Sequence, residues 1–325
     1  IPRDIYHTDW VAQRTKSWLG TQSSDKPWFC WMSFPDPHHP WDIPASELHR
    51  INWKDVPLPR LYSEKRSQLE SWLDEKPAHW RGYFDGSLWT NLESPREFVP
   101  ADMTADQIRE INAMTHIENE LIDEAVGDVI GFLHSKQWIK NTDIFFTTDH
   151  GELQGDFGLL FKGPYHVNAL MHLPFIWKPA EAANIPSAEV ASPVGHVDLA
   201  STFCAIADIT PPDYCEGKPL PVSEDEAVQQ EREIVLTEWD SEHGPIDMHL
   251  KSIYHRDGFL CTAYEKSHLY DGTEGELYDM KEDPDQLRNL WSDPGYASHR
   301  AELTDRLYAS LPEGATEKLP RKAPV

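Results

Sequence analysis

Apolar and polar positions along this chain follow two periods, and each marks a different kind of element. Ile108, Ile111, Thr115, Ile117, Leu121, Ile122, Ala125, Val129, Ile130 and Leu133 recur at spacings of mostly three or four. That period predicts one long amphipathic helix running to about Gln137. Thr104-Ala-Asp-Gln107, just ahead of it, is a capping box. TDWVAQRTKSWL (8–19), LYSEKRSQLESWL (61–73), VDLASTFCAIADI (197–209) and residues 298–310 are predicted as further helices. Short continuous apolar runs mark the second kind. PWFCWMSF (27–34), TDIFFTT (142–148) and LPFIWKP (173–179) read as buried strands. A long helix feeding such a strand is the pattern of a parallel α/β sheet.

The later chain changes character. An acidic stretch, SEDEAVQQERE, reads as a linker near residue 220 and precedes the strand IVLTEW. HLKSIYHRDGFLCTAYE then reads as a hairpin with Asp257-Gly258 in its turn. The expected organisation is an α/β body over 1–240 and a small antiparallel C-terminal subdomain over 241–325. Between the first strand and the long helix, residues 41–103 hold much Pro, Trp and charge with weak periodicity. They read as a long excursion with short helices, a common form for the wall of a site.

Composition narrows the class. The 325 residues are 39% hydrophobic and 26% charged, the balance of a globular protein with room for a large core. A formal charge of −26 disfavours nucleic acid and anionic lipid as partners. It leaves an anionic small molecule open, because local cations and a metal can dominate one cleft. No apolar run approaches the ~20 residues of a membrane-spanning helix. The start, IPRDIYHTDW, has no basic or apolar region of a signal peptide. The four Cys are widely spaced with no C-x-x-C pair, which argues against a disulfide framework or zinc site. Three of them have apolar neighbours and are expected to be buried thiols.

Candidate chemistry gathers where predicted strands end, since ligands of open α/β sheets bind beyond the carboxyl ends of strands. Asp149 and His150 stand at one such end, and a carboxylate with a neutral imidazole suits a divalent ion. Gly151 would let the backbone pass close to that ion. The ordinary alternative is a helix cap beside a surface histidine. PDPHHP follows the strand at 27–34, its prolines fixing the loop. One of His38 and His39 could protonate a leaving group, and the residues alone do not say which points inward. Lys162, thirteen residues after Asp149, offers a compact charge for a tetrahedral oxyanion, or is a solvated surface lysine. Trp41, Trp53, Trp72, Trp80 and Trp89 could line a pocket for an aryl or sugar group, although local packing is the preferred reading. Glu238, Trp239, Asp240 and His243 could border the site.

In this order the pieces resemble a type I, formylglycine-dependent sulfatase of the alkaline phosphatase superfamily. The resemblance rests on TDWVAQRTKSWL, KPWFCWMSFPDPHHPWDIP, ELIDEAVGDVIGFLHSKQWIKNTDIFFTTDHGE and ELYDMKEDPDQLRNLW. It implies an alkaline-phosphatase-like α/β sandwich. A large mixed, mainly parallel sheet would lie between helices, with a small C-terminal antiparallel sheet and helix. It implies Asp149 and His150 as ligands of one divalent metal, calcium or manganese. His38 of Pro-His-x-Pro would be the acid, and Lys162 the sulfate contact. His150, where many sulfatases carry Asn, is more similar to phosphonate monoester hydrolases.

The match is incomplete. No C/S-x-P-x-R nucleophile motif surrounds any Cys, and the family's early paired Asp has no counterpart. The expectation is therefore a sulfuric ester hydrolase active only with a formylglycine-bearing N-terminal segment or second chain. Its substrate would be a small sulfate ester, with a phosphonate monoester or phosphodiester as the alternative. A homo-oligomer fits the same picture. A non-catalytic anion-binding or structural chain is the reading of another class.

Overall fold

The computed structural model describes residues 1–88, 98–241 and 247–311. Helix α1 (His7–Leu19) leads into an extended segment, 27–34. The excursion carries two short helices, α2 (Arg66–Leu73) and α3 (Ala78–Phe84). Then come α4 (Ala105–Ser135) and β1 (Ile144–Thr147). The capping box on α4 is closed in both directions. The Gln107 N–H donates to the Thr104 hydroxyl at 3.2 Å, and the Thr104 N–H donates to Gln107 Oε1 at 2.9 Å. A glycine-containing loop follows, then α5 (Asn168–Met171), β2 (Phe175–Lys178), α6 (Val197–Ile206) and α7 (Glu224–Gln229). The last unit is β3 (Ile234–Ser241), β4 (Met248–His255), β5 (Phe259–Tyr264), β6 (Gly275–Asp279) and α8 (Ala297–Ala309). Its strands form one antiparallel sheet in chain order, and Gly258 turns the β4–β5 hairpin with a φ of 102°. The expected division at 240/241 falls at the end of β3, ahead of its partner β4.

Four expectations change. Residues 27–34 are extended, but no strand pairs with them among the described residues. Their burial alternates. Trp28, Met32 and Phe34 pack against α1 and α4, while Phe29 and Trp31 face outward at 62% and 68% exposure. A run apolar at every position reads as two-sided burial, yet here only one side is covered. Second, β1 runs antiparallel to β2, and these two form the only ladder of the body among the described residues. Both strands are half-exposed rather than buried. Third, the acidic linker is in part α7, whose Ser223 hydroxyl caps the Glu226 N–H. Fourth, only Cys261 is buried, and Cys30, Cys204 and Cys215 are partly exposed.

The main core places the functional loops. Leu69, Leu73, Trp80 and Phe84 of the excursion meet Leu153, Phe157 and Tyr165 of the loop after β1, and Leu250 and Tyr264 of the C-terminal sheet. Polar bonds cross the same junction. His79 Nε2 donates to the Pro164 carbonyl at 3.0 Å, and its Nδ1 accepts from the Tyr270 hydroxyl at 2.6 Å. Burial pushes His79 down to about 3, so the ring is neutral and both nitrogens are matched. Lys76, also buried, donates to the Tyr278 hydroxyl at 2.9 Å. Among the described residues no helix is long and apolar enough to cross a membrane.

Candidate functional site

The chain leaves β1 through a turn held by its own hydrogen bonds. Asp149 Oδ1 accepts from the His150 N–H at 3.0 Å and from the Thr148 hydroxyl at 3.2 Å. The His150 ring donates from Nδ1 to the Gly151 carbonyl at 2.9 Å, which leaves its lone pair on Nε2. That atom lies 3.5 Å from Asp149 Oδ2. Partial desolvation pushes the Asp149 carboxyl up, but the His150 ring and the N–H and O–H donors outweigh it and hold the carboxyl below its ordinary value. A carboxylate oxygen and an imidazole lone pair at this separation can both touch one divalent ion at bonds of about 2.0–2.6 Å. The donor chemistry therefore fits a metal. Among the described residues no third His, Cys, Asp or Glu joins the pair in such a group. Gly151 is constrained by something the sequence did not suggest. A Cβ here would lie 1.8 Å from the Ala169 carbonyl oxygen, and the Gly151 N–H donates to Leu170 at 2.9 Å.

The loop from Gly151 to Gly163 folds back on itself. The Leu153 N–H donates to the Phe161 carbonyl at 3.1 Å, and Gly155 to Leu159 at 2.8 Å. Gln154, Phe157 and Phe161 all have positive φ, conformations that side chains resist. Packing and α4 hold them there: Phe157 lies in the main core, and the Asn112 side chain donates to the Gln154 carbonyl at 3.0 Å. Lys162 follows Phe161, and its Nζ reaches His38 Nε2 at 2.7 Å. An ammonium only donates, so Nε2 accepts, and Nδ1 donates to the His39 carbonyl at 2.7 Å.

The PDPHHP loop is anchored from the start of α1. Asp36, buried, accepts from the hydroxyls of Tyr6 (2.7 Å) and Thr8 and bonds His7 Nε2. His38 is exposed toward Lys162, and His39 is half-buried behind it. The two rings stack at 4.1 Å, and His38 lies edge-on to His150 at 6.4 Å between centroids. His39 in turn meets the Phe161 ring at 4.7 Å, and Trp41 lies nearly parallel to Phe161 at 6.1 Å. Three separate segments thus bring His38, His150 and Lys162 together, with Asp149 beside His150.

The remaining candidates go elsewhere. Glu238 and Asp240 bond the Lys251 ammonium at 2.8 and 2.7 Å across β3 and β4, and His249 bonds Asp240 at 2.7 Å. Trp239 packs against the main core. Trp80 is buried there too, Trp72 packs on the same cluster, and Trp41 stacks on Phe161. Trp53 has the Lys54 ammonium over its ring at 5.3 Å. His243 and Trp89 lie outside the described residues. Sequence reasoning missed Asp36, Phe161 and Glu118. Glu118 is fully buried on α4 with neither oxygen hydrogen-bonded, and burial, then Asp36 and Asp42, push it up to about 8. Its signal was present: Ile111, Thr115, Glu118 and Ile122 share the three-four spacing of the core face.

Comparison with known proteins gives the same direction. A family model described as Sulfatase matches residues 3–209, and one described as N-sulphoglucosamine sulphohydrolase, C-terminal, matches 155–312. The uncharacterized sulfatase YidJ of Escherichia coli is 29% identical over 87% of this chain and 51% of its own length. A delta 4,5-hexuronate-2-O-sulfatase of Bacteroides thetaiotaomicron is 26% identical over 70% of this chain and 49% of its own. The chain thus spans about half the length of these curated relatives. The crystal structure of a phosphonate monoester hydrolase of Agrobacterium radiobacter superposes with a TM-score of 0.78. It has 22% identity and covers 95% of this chain and 61% of that one. The α/β fold expected from the sequence is the fold of that structure.

Proposed function

Because the chain belongs to the sulfatase family, we propose that it carries the anion-gripping and leaving-group side of a metal-dependent sulfuric ester hydrolase. The observation that carries this reading is the 2.7 Å contact between Lys162 Nζ and His38 Nε2, residues 124 apart in sequence, beside His150. Asp149 Oδ2 and His150 Nε2 would hold one divalent ion, calcium or manganese, which would polarise the sulfate and favour a nucleophile. The nucleophile of the C/S-x-P-x-R motif is not among these residues. A formylglycine supplied from outside them would complete the reaction.

The work of this chain's own residues follows from geometry. The Lys162 ammonium would turn from His38 to an equatorial oxygen of the ester and offset its charge. The ammonium would keep its own protons as it turns, and His38 Nε2 would take one from solvent for the leaving alkoxide. His38 would deliver it, its ring kept in place by the bond from Nδ1 to the His39 carbonyl. Residues 1–240 would supply this chemistry and 241–325 would brace it. Phosphonate monoester or phosphodiester hydrolysis is the second reading, favoured by His150 directly after Asp149. Intact mass and peptide mapping of the native protein test for the formylglycine. Turnover of 4-nitrophenyl sulfate against a 4-nitrophenyl phosphonate then separates the reactions. Absence of both the modified residue and any turnover would sink the hydrolase reading.

A further inference from the structure

We propose that His39 and Phe161 are positioning residues that set the contact between His38 and Lys162, a role that rests on the functional reading above. His38 stands exposed on a loop, and a lysine side chain is a flexible four-carbon stem. Each has an immediate neighbour in sequence that is packed. His39 follows His38, and Phe161 precedes Lys162.

Those neighbours meet each other. The His39 and Phe161 rings lie edge to face at 4.7 Å, within the range of favourable aromatic pairs. His39 also stacks on His38 at 4.1 Å and 29°. The four residues therefore close a ring of contacts: His38 to His39, His39 to Phe161, along the chain to Lys162, and back to His38 at 2.7 Å. Phe161 is the member under tension. Its φ of 70° is a conformation that persists only where surroundings enforce it. Trp41 lies nearly parallel on one side, Phe98 meets it edge-on at 5.7 Å, and Ile108 and Leu160 share its cluster. The backbone conformation at 161 sets the direction in which Lys162 leaves the loop. Relaxing Phe161 to an ordinary φ would swing that direction away from His38.

The variable position of Pro-His-x-Pro is thus occupied by a ring that reads the position of the lysine loop. A flat ring should serve as well as an imidazole, whereas removal of the ring should not. The test uses the native protein with His39→Ala, Phe161→Ala and the ring-keeping His39→Phe, beside His38→Ala and Lys162→Ala. The first readout is independent of turnover: the rate at which diethyl pyrocarbonate modifies His38, followed by peptide mass spectrometry. Losing the Lys162 hydrogen bond should raise that rate about fivefold in both positioning alanine variants and in Lys162→Ala. His39→Phe should keep the wild-type rate. The second readout is kcat for sulfate esters with good and poor leaving alcohols. A displaced acid should lower kcat for the poor leaving group by about tenfold or more, and much less for the good one. Should Phe161→Ala fail to fold, His39→Ala carries both measurements. Unchanged His38 labelling in the folded alanine variants overturns the proposal. Faster labelling together with wild-type turnover in His38→Ala supports the positioning and overturns the hydrolase reading instead.

Discussion

Lys162 and Glu118 are both ionisable side chains, and the fold treats them in opposite ways. Lys162 is held at the surface against an imidazole, where an anion can reach it. Replacing it with Ala should raise KM and lower kcat/KM for a sulfate ester by roughly 100- to 1,000-fold, as steady-state kinetics would show. Glu118 is sealed behind the His38 loop, facing Asp36 and Asp42 of that loop. Its folded value of about 8 stands above the 4.5 of an ordinary glutamate. The folded state therefore keeps a proton that the unfolded chain has released between those values. The stabilising contribution is complete below about 4.5 and disappears as pH rises through about 8. Glu118→Gln should flatten this slope and raise Tm on the alkaline side. Thermal melts across that range check it, and an unchanged slope in the variant would rule the assignment out.

At the scale of elements, what was legible depended on whether the pattern carried its own geometry. The long helix did: Thr104 and Gln107 close their box, and Thr104→Ala should cost about 1 kcal/mol in a denaturant titration. Asp257-Gly258 did as well, because the hairpin turn needs the positive φ that Gly258 supplies. PWFCWMSF did not. Its every-position hydrophobicity cannot say that Trp28 and Met32 face α4 while Phe29 and Trp31 face out. The order of His38 and His39 was also hidden, since it follows from Asp36 being tied to residues 6–8, a long-range contact. Asp149, His150 and Lys162 were nameable from the strand end and loop. The meeting of Lys162 with His38 was not, because the loop that delivers the lysine holds three non-glycine residues at positive φ.

Taken whole, the molecule carries a charge of −26 and answers pH from two sides. Arg3 and Arg50 gather Glu47, Glu120 and Glu124 into a network joining the N-terminal turn, the excursion and α4. Hydrogen bonds from Ser46 and then Arg50 hold Glu47 down at about 2. Its contribution is present above about 4.5 and is lost as pH falls through about 2, the reverse of Glu118. Self-repulsion of the anionic surface also eases as pH falls from neutrality. Tm should therefore peak in mildly acidic buffer, and a maximum above neutrality in a pH series would contradict this. The segment after Lys162 adds a constraint of another sort. Pro164 bonds His79, His166 bonds Ser252 at 2.5 Å, and the Asn168 N–H donates to Gln286 at 2.8 Å. The lysine loop is thus stitched to the C-terminal unit directly at Ser252 and Gln286, and by way of His79 on α3 at Tyr270. An engineer who exchanged that unit for a homologue's, as one exchanges a cassette, would unpick the loop with it. A working chimera would have to carry Ser252, Tyr270 and Gln286 across the junction together.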